Sequence, residues 1–370
     1  MQAAHEVAQV LDWLGDGVEH LGLNEWQLRT LKAVRLCRTA ALGGHIDECD
    51  ACGKLSISYN SCRNRHCPKC QGHKREAWIA AREQELLAVP YFHLVFTLPQ
   101  ELNVYALHQP KHLYDALFKA AWQTLAAFGT RQGLQMGMIA ILHTWGQTLS
   151  RHPHLHCIVP GGGVDAQGHW SNVRADGKFL FPVKALSKVF RAKFLAEFGK
   201  SQVVEQGLRQ CLFEKDWIVY AKRPFGSPKS VLEYLGRYTH KIAISNHRIQ
   251  SVDDEGVRFS YKAYQEEGKT KSMRLSQGEF VRRFAQHILP KGFVKIRHYG
   301  FLSSTWKPHK LKALRADLGL QPVAVCVETH HRRCPCCQKG RLVTLYTFGK
   351  RGPPSWFKSS DSQPEPCREG

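Results

Sequence analysis

The sequence predicts an α+β fold: a central antiparallel sheet flanked by helices, preceded by a helical unit that carries metal-binding knuckles. Three observations predict it. Apolar, β-rich runs at Tyr91–Leu98, Met138–Trp145 and His154–Val159 are short and bounded by Pro or Gly, as strands are. Stretches before and between them carry apolar residues at helical spacing. Two Cys-x-x-Cys pairs, Cys49/Cys52 and Cys67/Cys70, precede the first strand.

The chain has 370 residues, which suggests two or three domains. At 43% hydrophobic and 22% charged residues it can bury a core. Lys and Arg number 52 against 31 acids, a formal net charge of +21. That excess points to a polyanionic partner, and DNA is the first candidate. No apolar run reaches the roughly 18–20 residues that span a bilayer, and the N-terminus lacks the basic and apolar regions of a signal peptide. A cytoplasmic protein is expected. Its thirteen cysteines then argue for zinc over disulfides.

Taken in order, residues 4–42 read as helical, with Val7, Val10, Leu11, Leu14 and Val18 on one stripe and Leu28, Leu31, Val34 and Leu36 on another. Each Cys-x-x-Cys pair is a tight turn that aims two sulfurs at one ion, and the expected structural zinc site joins Cys49, Cys52, Cys67 and Cys70. His45, Cys62 and His66 lie close by as surplus ligands. From Cys62 to Arg82 there are six basic residues and one acid. Arg63, Arg65, Lys69, Lys74 and Arg75 are therefore expected to contact DNA, with a helix over 73–88.

A helix is expected over 101–128, its stripe running through Leu113, Leu117, Ala121 and Leu125. Short strands follow around Trp170, at Phe179–Phe181 and at Trp217–Tyr220, with a helix at 184–198 before the last of these. Ser227-Pro228 opens another helix, Ser as N-cap and Pro at the first position. Tyr234 and Tyr238 share one face of it, being four residues apart. Residues 242–275 read as a β-hairpin turning at Asp253–Gly256. From Lys262 to Arg315 thirteen basic residues stand against three acids, interleaved with aromatics, a pattern suited to single-stranded nucleic acid. Cys334 and Cys337 form a further knuckle that would make a second zinc site given partners. The tail from Gly349 has a disordered composition.

The expected domains are a helical and zinc-binding unit at 1–85 with knuckles at 45–70, and a catalytic unit at 90–250. A basic region at 251–348 completes or extends the catalytic unit and carries the knuckle at 330–337; a tail at 349–370 follows.

Arg151-His-Pro-His-Leu-His-Cys-Ile-Val-Pro160 carries the chemistry. In a strand, His154 and His156 face one side, while Leu155, Cys157 and Val159 face the other, towards a core. Two imidazoles on one strand face form a half-site for a divalent metal.

The Phe96-Thr-Leu-Pro99 strand, the His154-Leu-His156 strand and the Tyr234/Tyr238 helix stand in an order that resembles the HUH endonucleases. The flanks tighten the match. His143 to Gly163, Tyr234-Leu-Gly-Arg-Tyr238, Ile244-Ser-Asn-His-Arg248 and Arg297-His-Tyr-Gly-Phe301 look like the rolling-circle transposases of the IS-ninety-one family, of the two-tyrosine class with an N-terminal zinc-binding domain. The resemblance implies an HUH-type sheet and a metal-dependent enzyme that nicks and religates single-stranded DNA, or hairpin ends of an insertion sequence, through a 5′-phosphotyrosine. It implies Mg²⁺ or Mn²⁺ at His154 and His156, with His143 as third ligand, Gln147 as the alternative and His152 as an outside candidate. It makes Tyr238 the first nucleophile, Tyr234 the second and Lys241 a stabiliser of the phenolate or phosphate, and it places the protein at the bacterial nucleoid. The alternatives are a plasmid replication initiator or relaxase of the same class, and a non-enzymatic zinc DNA-binding protein. The N-terminal zinc domain and the absence of a GxxxxGK(S/T) helicase phosphate loop from this sequence argue against the first, and the second leaves the tyrosines and the two-histidine strand without a role.

Overall fold

The computed structural model describes residues 3–70, 78–79, 81–82, 85–174, 179–200, 204–222, 225, 230–231, 234, 236, 241–320, 332–355 and 357. It has the α+β architecture the sequence predicts. Helices α1 (Val7–Leu14) and α2 (Glu25–Arg35) come first. Asn24 caps α2 by a reciprocal pair of bonds with Gln27, which satisfies two otherwise orphaned N–H groups. Strands β1 (Gly44–Cys49) and β2 (Leu55–Tyr59) then form a hairpin.

The central sheet begins with β3 (Tyr91–Thr97). Helices α3 (Asn103–His108) and α4 (Pro110–Thr130) follow where the sequence suggests a single helix. Pro110 explains the division: it lacks an N–H donor and sits at the first position of the new helix. Leu113, Leu117, Ala121 and Leu125 of α4 are fully buried. Strands β4 (Gly137–Trp145) and β5 (Arg151–Pro160) make a hairpin, and β6 (Gly162–Val164) pairs with β7 (Trp170–Asn172). Phe179–Phe181, expected as a strand, is irregular; Leu180 and Phe181 are instead buried in the core. Helices α5 (Val183–Gly199) and α6 (Gln206–Glu214) lead to β8 (Val219–Lys222).

Residues 249–275 form three strands where a two-stranded hairpin was expected: β9 (Ile249–Asp253), β10 (Gly256–Ala263) and β11 (Lys269–Leu275). Helix α7 (Gln277–Ala285) follows, then β12 (Ile296–Gly300), α8 (Lys312–Asp317) and β13 (Leu342–Phe348). The strand β13 lies just before the tail and has no counterpart in the sequence reading. Most of that tail, half of the helix expected at 73–88, and most of the helix expected after Ser227 lie outside the described residues.

The central sheet is antiparallel with strand order β12-β4-β5-β3-β8. One face is packed by α4 and α5. Leu94 and Phe96 of β3, Ala140 and Leu142 of β4, and Leu155, Cys157 and Val159 of β5 meet Leu117, Phe118, Phe190 and Phe194 there. Strand parity leaves His93, His143, His154 and His156 on the opposite face. A second core joins α1 and α2 to the β9–β10 strands and α7 through Val10, Leu11, Leu31, Phe259, Phe280 and Phe284. The N-terminal helices therefore pack on the basic C-terminal half of the chain.

Candidate functional site

The sheet register builds the histidine cluster. His143 of β4 lies directly across from His154 of β5, and His156 is flanked by Ile141 and Val95 on its two neighbours. Cross-strand partners in such a pair have Cβ atoms about 5 Å apart, so three imidazoles on one face converge. One ligand nitrogen from each of His143, His154 and His156 lies within 4.8 Å of the others. His143 and His156 are buried and His154 is half-buried.

The hydrogen bonds settle where the protons sit. His154 Nδ1 is 2.6 Å from the carbonyl oxygen of His152, so this nitrogen must donate and Nε2 is left with a lone pair. His154 Nε2 is 3.2 Å from His156 Nε2. Two ligands held at about 2.1 Å from one ion, roughly 90–110° apart, stand about 3.0–3.4 Å from each other. The donor set thus fits a divalent cation. Desolvation holds His154 down to about 4. Burial pushes His156 further down, with the His154, His93, Lys241 and Lys295 charges adding to it. Neutral imidazole is the form that ligates a metal.

Gln147 does not join them. Its amide NH₂ donates to Tyr264 Oη at 3.4 Å and its oxygen accepts from the Lys262 N–H at 3.4 Å. His152 is exposed and contributes its carbonyl to His154. Among the described residues the structure therefore groups His143 with His154 and His156.

One residue the sequence reading passed over belongs to this site. His93 Nε2 lies 2.8 Å from His156 Nδ1, and His93 Nδ1 lies 3.1 Å from the hydroxyl of Tyr234. The His93 ring stacks on His156 with centroids 5.1 Å apart, and burial pushes His93 down to about 4. Strand parity carried the signal, since His93 is two residues before Val95 and four before Thr97, on the face that His156 and His154 share. Tyr234 is further fixed by Phe225 at 4.9 Å between centroids and by Lys222, whose Nζ is 5.4 Å from its ring centre. Val231, three residues earlier and fully buried, packs with Tyr91, Ile141 and Ile158 and seats this helical residue on the sheet. Tyr238 lies outside the described residues. Lys241 has an exposed side chain, and its carbonyl accepts from Lys295 Nζ at 2.8 Å.

The cysteines divide differently from the expected single site. Cys37, Cys62, Cys67 and Cys70 form one group of four, and Cys49, Cys52, Cys334 and Cys337 form another. The β1–β2 hairpin is the physical reason. Cys49 and Cys52 sit at its tip, while Cys62, Cys67 and Cys70 lie beyond its open end; five paired residues separate the two by about 16 Å. In the first group Cys70 Sγ is 3.4 Å from Cys37 Sγ and 3.6 Å from Cys62 Sγ, near the edge of about 3.8 Å expected for sulfurs around tetrahedral zinc. Cys37, at the end of α2, is a ligand that the knuckle spacing does not predict, and Cys62, a surplus ligand by spacing, is a full member of the group. His66 instead accepts from the Leu289 N–H at 3.3 Å, and His45 accepts from Arg332 at 2.6 Å.

The expected DNA contacts are in part committed elsewhere. The Arg65 guanidinium donates to the carbonyls of Phe293 and Pro290, and Lys69 pairs with Glu6 at 2.6 Å. Arg63 is exposed, and Lys74 and Arg75 lie outside the described residues. Phe280, Phe284, Phe293 and Phe301 are buried in cores, so they form no stacking platform; Tyr264 is exposed.

Comparison with known proteins defines the class. A family model described as "Putative transposase" matches residues 137–309, which hold β4, β5 and the tyrosine segment. A model described as "Transposase zinc-binding domain" matches residues 12–98, which contain all four cysteines of the first group. This is a transposase with an N-terminal zinc-binding domain. "Putative transposase y4qJ" of Sinorhizobium fredii is 40% identical over 395 aligned positions, covering 96% of this chain and 98% of that protein. "Transposase for insertion sequence element IS801" of Pseudomonas savastanoi pv. phaseolicola is 31% identical over 311 positions, covering 78% of this chain and 73% of that protein. No solved structure matches significantly. The chain belongs to the IS-ninety-one family of transposases. DNA is accordingly its substrate class, and among the described residues no helix is long and apolar enough to cross a membrane.

Proposed function

We propose that this transposase is an HUH enzyme that nicks and religates single-stranded DNA through a 5′-phosphotyrosine, as in rolling-circle transposition. The observation that carries the reading is the convergence of His143, His154 and His156 on one point, with Tyr234 tied to that cluster through His93. The catalytic unit in this reading spans about residues 90–250, with β12 adding a strand beside β4.

His143, His154 and His156 would hold the catalytic Mg²⁺ or Mn²⁺. The chemistry such an ion supplies is polarisation of the scissile phosphate and stabilisation of developing negative charge. The rest falls to the chain. A tyrosine oxygen attacks phosphorus and its phenol proton departs. The P–O3′ bond breaks, and the 3′ oxygen takes up a proton to leave as a hydroxyl. Because the phosphotyrosine ester conserves the broken bond, the reverse attack by a 3′-OH rejoins strands.

The hydrogen-bond chain gives His93 a defined part as a positioning residue. For His156 Nε2 to ligate, its proton must sit on Nδ1 and be donated to His93 Nε2. The His93 proton then sits on Nδ1, aimed at the Tyr234 oxygen. A phenolate at Tyr234 would accept that N–H. Tyr238 is the first nucleophile in this reading, Tyr234 the second, and Lys241 is a cation close enough to the cluster to steady phosphate or phenolate.

The test incubates the protein with single-stranded oligonucleotides carrying the element's ends, plus Mn²⁺, and looks for a covalent protein–DNA adduct. Tyr238→Phe should abolish first-strand adducts, and Tyr234→Phe should abolish transfer of the second strand. Absence of any adduct with any end sequence rules the reading out.

A further inference from the structure

We propose that Cys49, Cys52, Cys334 and Cys337 bind a second structural zinc ion, which clasps the C-terminal strand β13 to the N-terminal hairpin. The matched zinc-binding domain ends at residue 98, so two of these four ligands lie far outside it.

The geometry is that of a closed thiolate site. All four sulfurs lie within 4.8 Å of one another. Cys49 Sγ is 3.6 Å from Cys337 Sγ and Cys52 Sγ is 3.8 Å from Cys334 Sγ, against the tetrahedral edge of about 3.8 Å. These separations are far beyond the S–S bond of about 2.05 Å. Each pair is a knuckle whose backbone turns back on its own sulfur. The Ala51 N–H donates to Cys49 Sγ at 3.5 Å and the Gly340 N–H donates to Cys337 Sγ at 3.4 Å. Donors aimed at sulfur stabilise thiolate, the form zinc requires.

Close packing points the same way. A Cβ on Gly340 would stand 2.4 Å from Cys49 Sγ and 2.7 Å from Ala51 Cβ, so only glycine lets the second knuckle approach the first. The surrounding bonds hold the knuckles in register. Strand β13 pairs with β1 from Gly44↔Phe348 to Cys49↔Leu342. Arg332 donates from Nη1 and Nη2 to the two carboxylate oxygens of buried Asp47, at 2.7 and 2.9 Å. The Arg341 N–H donates to Asp50 Oδ1 at 2.7 Å. The hairpin tip therefore gathers the first and last parts of the chain, and Zn²⁺ binding, which releases the thiol protons, locks them together.

Replacing zinc with Co²⁺ in the full-length protein tests this, because thiolate-bound Co²⁺ has a sulfur-to-metal charge-transfer band that a histidine-bound ion lacks. The wild-type chain should take up two thiolate-bound equivalents, and Cys334→Ser with Cys337→Ser should take up one. The double variant should also become sensitive to proteolysis near β13 while the first cysteine group keeps its ion. One thiolate-bound equivalent in the wild-type chain overturns the proposal, as do two retained in the double variant or disulfides among these four cysteines in freshly purified protein. The wild-type count decides the matter even if the variant fails to fold.

Discussion

His93 Nε2 lies 2.8 Å from His156 Nδ1, and this bond joins β3 to the cluster of His143, His154 and His156. An outer partner of this kind fixes the ring and tautomer of a ligand, and losing it costs about 10–100-fold in metal affinity. His93→Ala should weaken Mn²⁺ binding by that factor, measured by isothermal titration without DNA. His93→Gln, whose amide oxygen can accept the same proton, should recover most of it. Wild-type affinity in His93→Ala would show that the bond does not act on the site.

Acid should weaken the fold through histidines outside the His143, His154 and His156 cluster. His287 is buried between Thr144 Oγ1 at 3.2 Å and the Leu149 carbonyl at 3.1 Å, and burial pushes it down to about 4. Burial, with the Lys307 and Arg82 charges, holds His298 down to about 3. An unfolded imidazole titrates near 6.5. Between that value and the folded one, the unfolded chain binds more protons, so stability is full above about pH 6.5 and is lost as the pH falls towards 4. His287 alone should cost on the order of 1–2 kcal/mol at pH 5. Urea midpoints at pH 7.5 and 5 check this; an unchanged midpoint contradicts it.

The histidine cluster was legible because strand parity is local. His154 and His156 could be placed on one face from a period of two, before any tertiary contact was known, whereas His143 entered only through the family resemblance and needed the β4–β5 register to reach their face. His93 obeys the same parity, but it stands alone inside the apolar run Tyr91-Phe-His-Leu-Val-Phe, with no neighbouring histidine to mark it as part of a site. The cysteine partners were not legible, because spacing reveals a knuckle but not which knuckle faces it. A hairpin of five paired residues separates Cys52 from Cys67, and the strand that brings Cys334 to Cys52 closes 282 residues of chain. The aromatics after Lys262 misled for a related reason: composition cannot distinguish a ring that stacks on a base from Phe280 or Phe301, both fully buried.

Gly300 should be intolerant of any side chain. It ends β12 at φ +60°, opposite Gly137, and a Cβ there would stand 1.8 Å from the Met136 carbonyl oxygen and 2.8 Å from the Trp122 ring. The obstacle is backbone, which cannot rotate aside. Gly300→Ala should cost about 3 kcal/mol or more through strain and lost β12–β4 pairing. Urea unfolding measures it, and a change within roughly 0.5 kcal/mol, the range of ordinary surface substitutions, contradicts the account.

The first cysteine group should control the second core and leave the central sheet comparatively intact. Cys37, Cys67 and Cys70 are buried among Val10, Leu31, Val34 and Phe284, so their ion would anchor α1 and α2 to α7. The sheet's own core of α4, α5 and β3–β5 contains none of them. Zinc bound to four thiolates contributes roughly 10–16 kcal/mol to folding a small metal-dependent unit. Cys62→Ser should therefore release α1 and α2, visible as rapid amide exchange over residues 7–35, while amides of β4 and β5 stay protected. Uniform loss of protection across both cores would mean that they fold as one cooperative unit, and unchanged protection over 7–35 would mean that packing alone holds the helices.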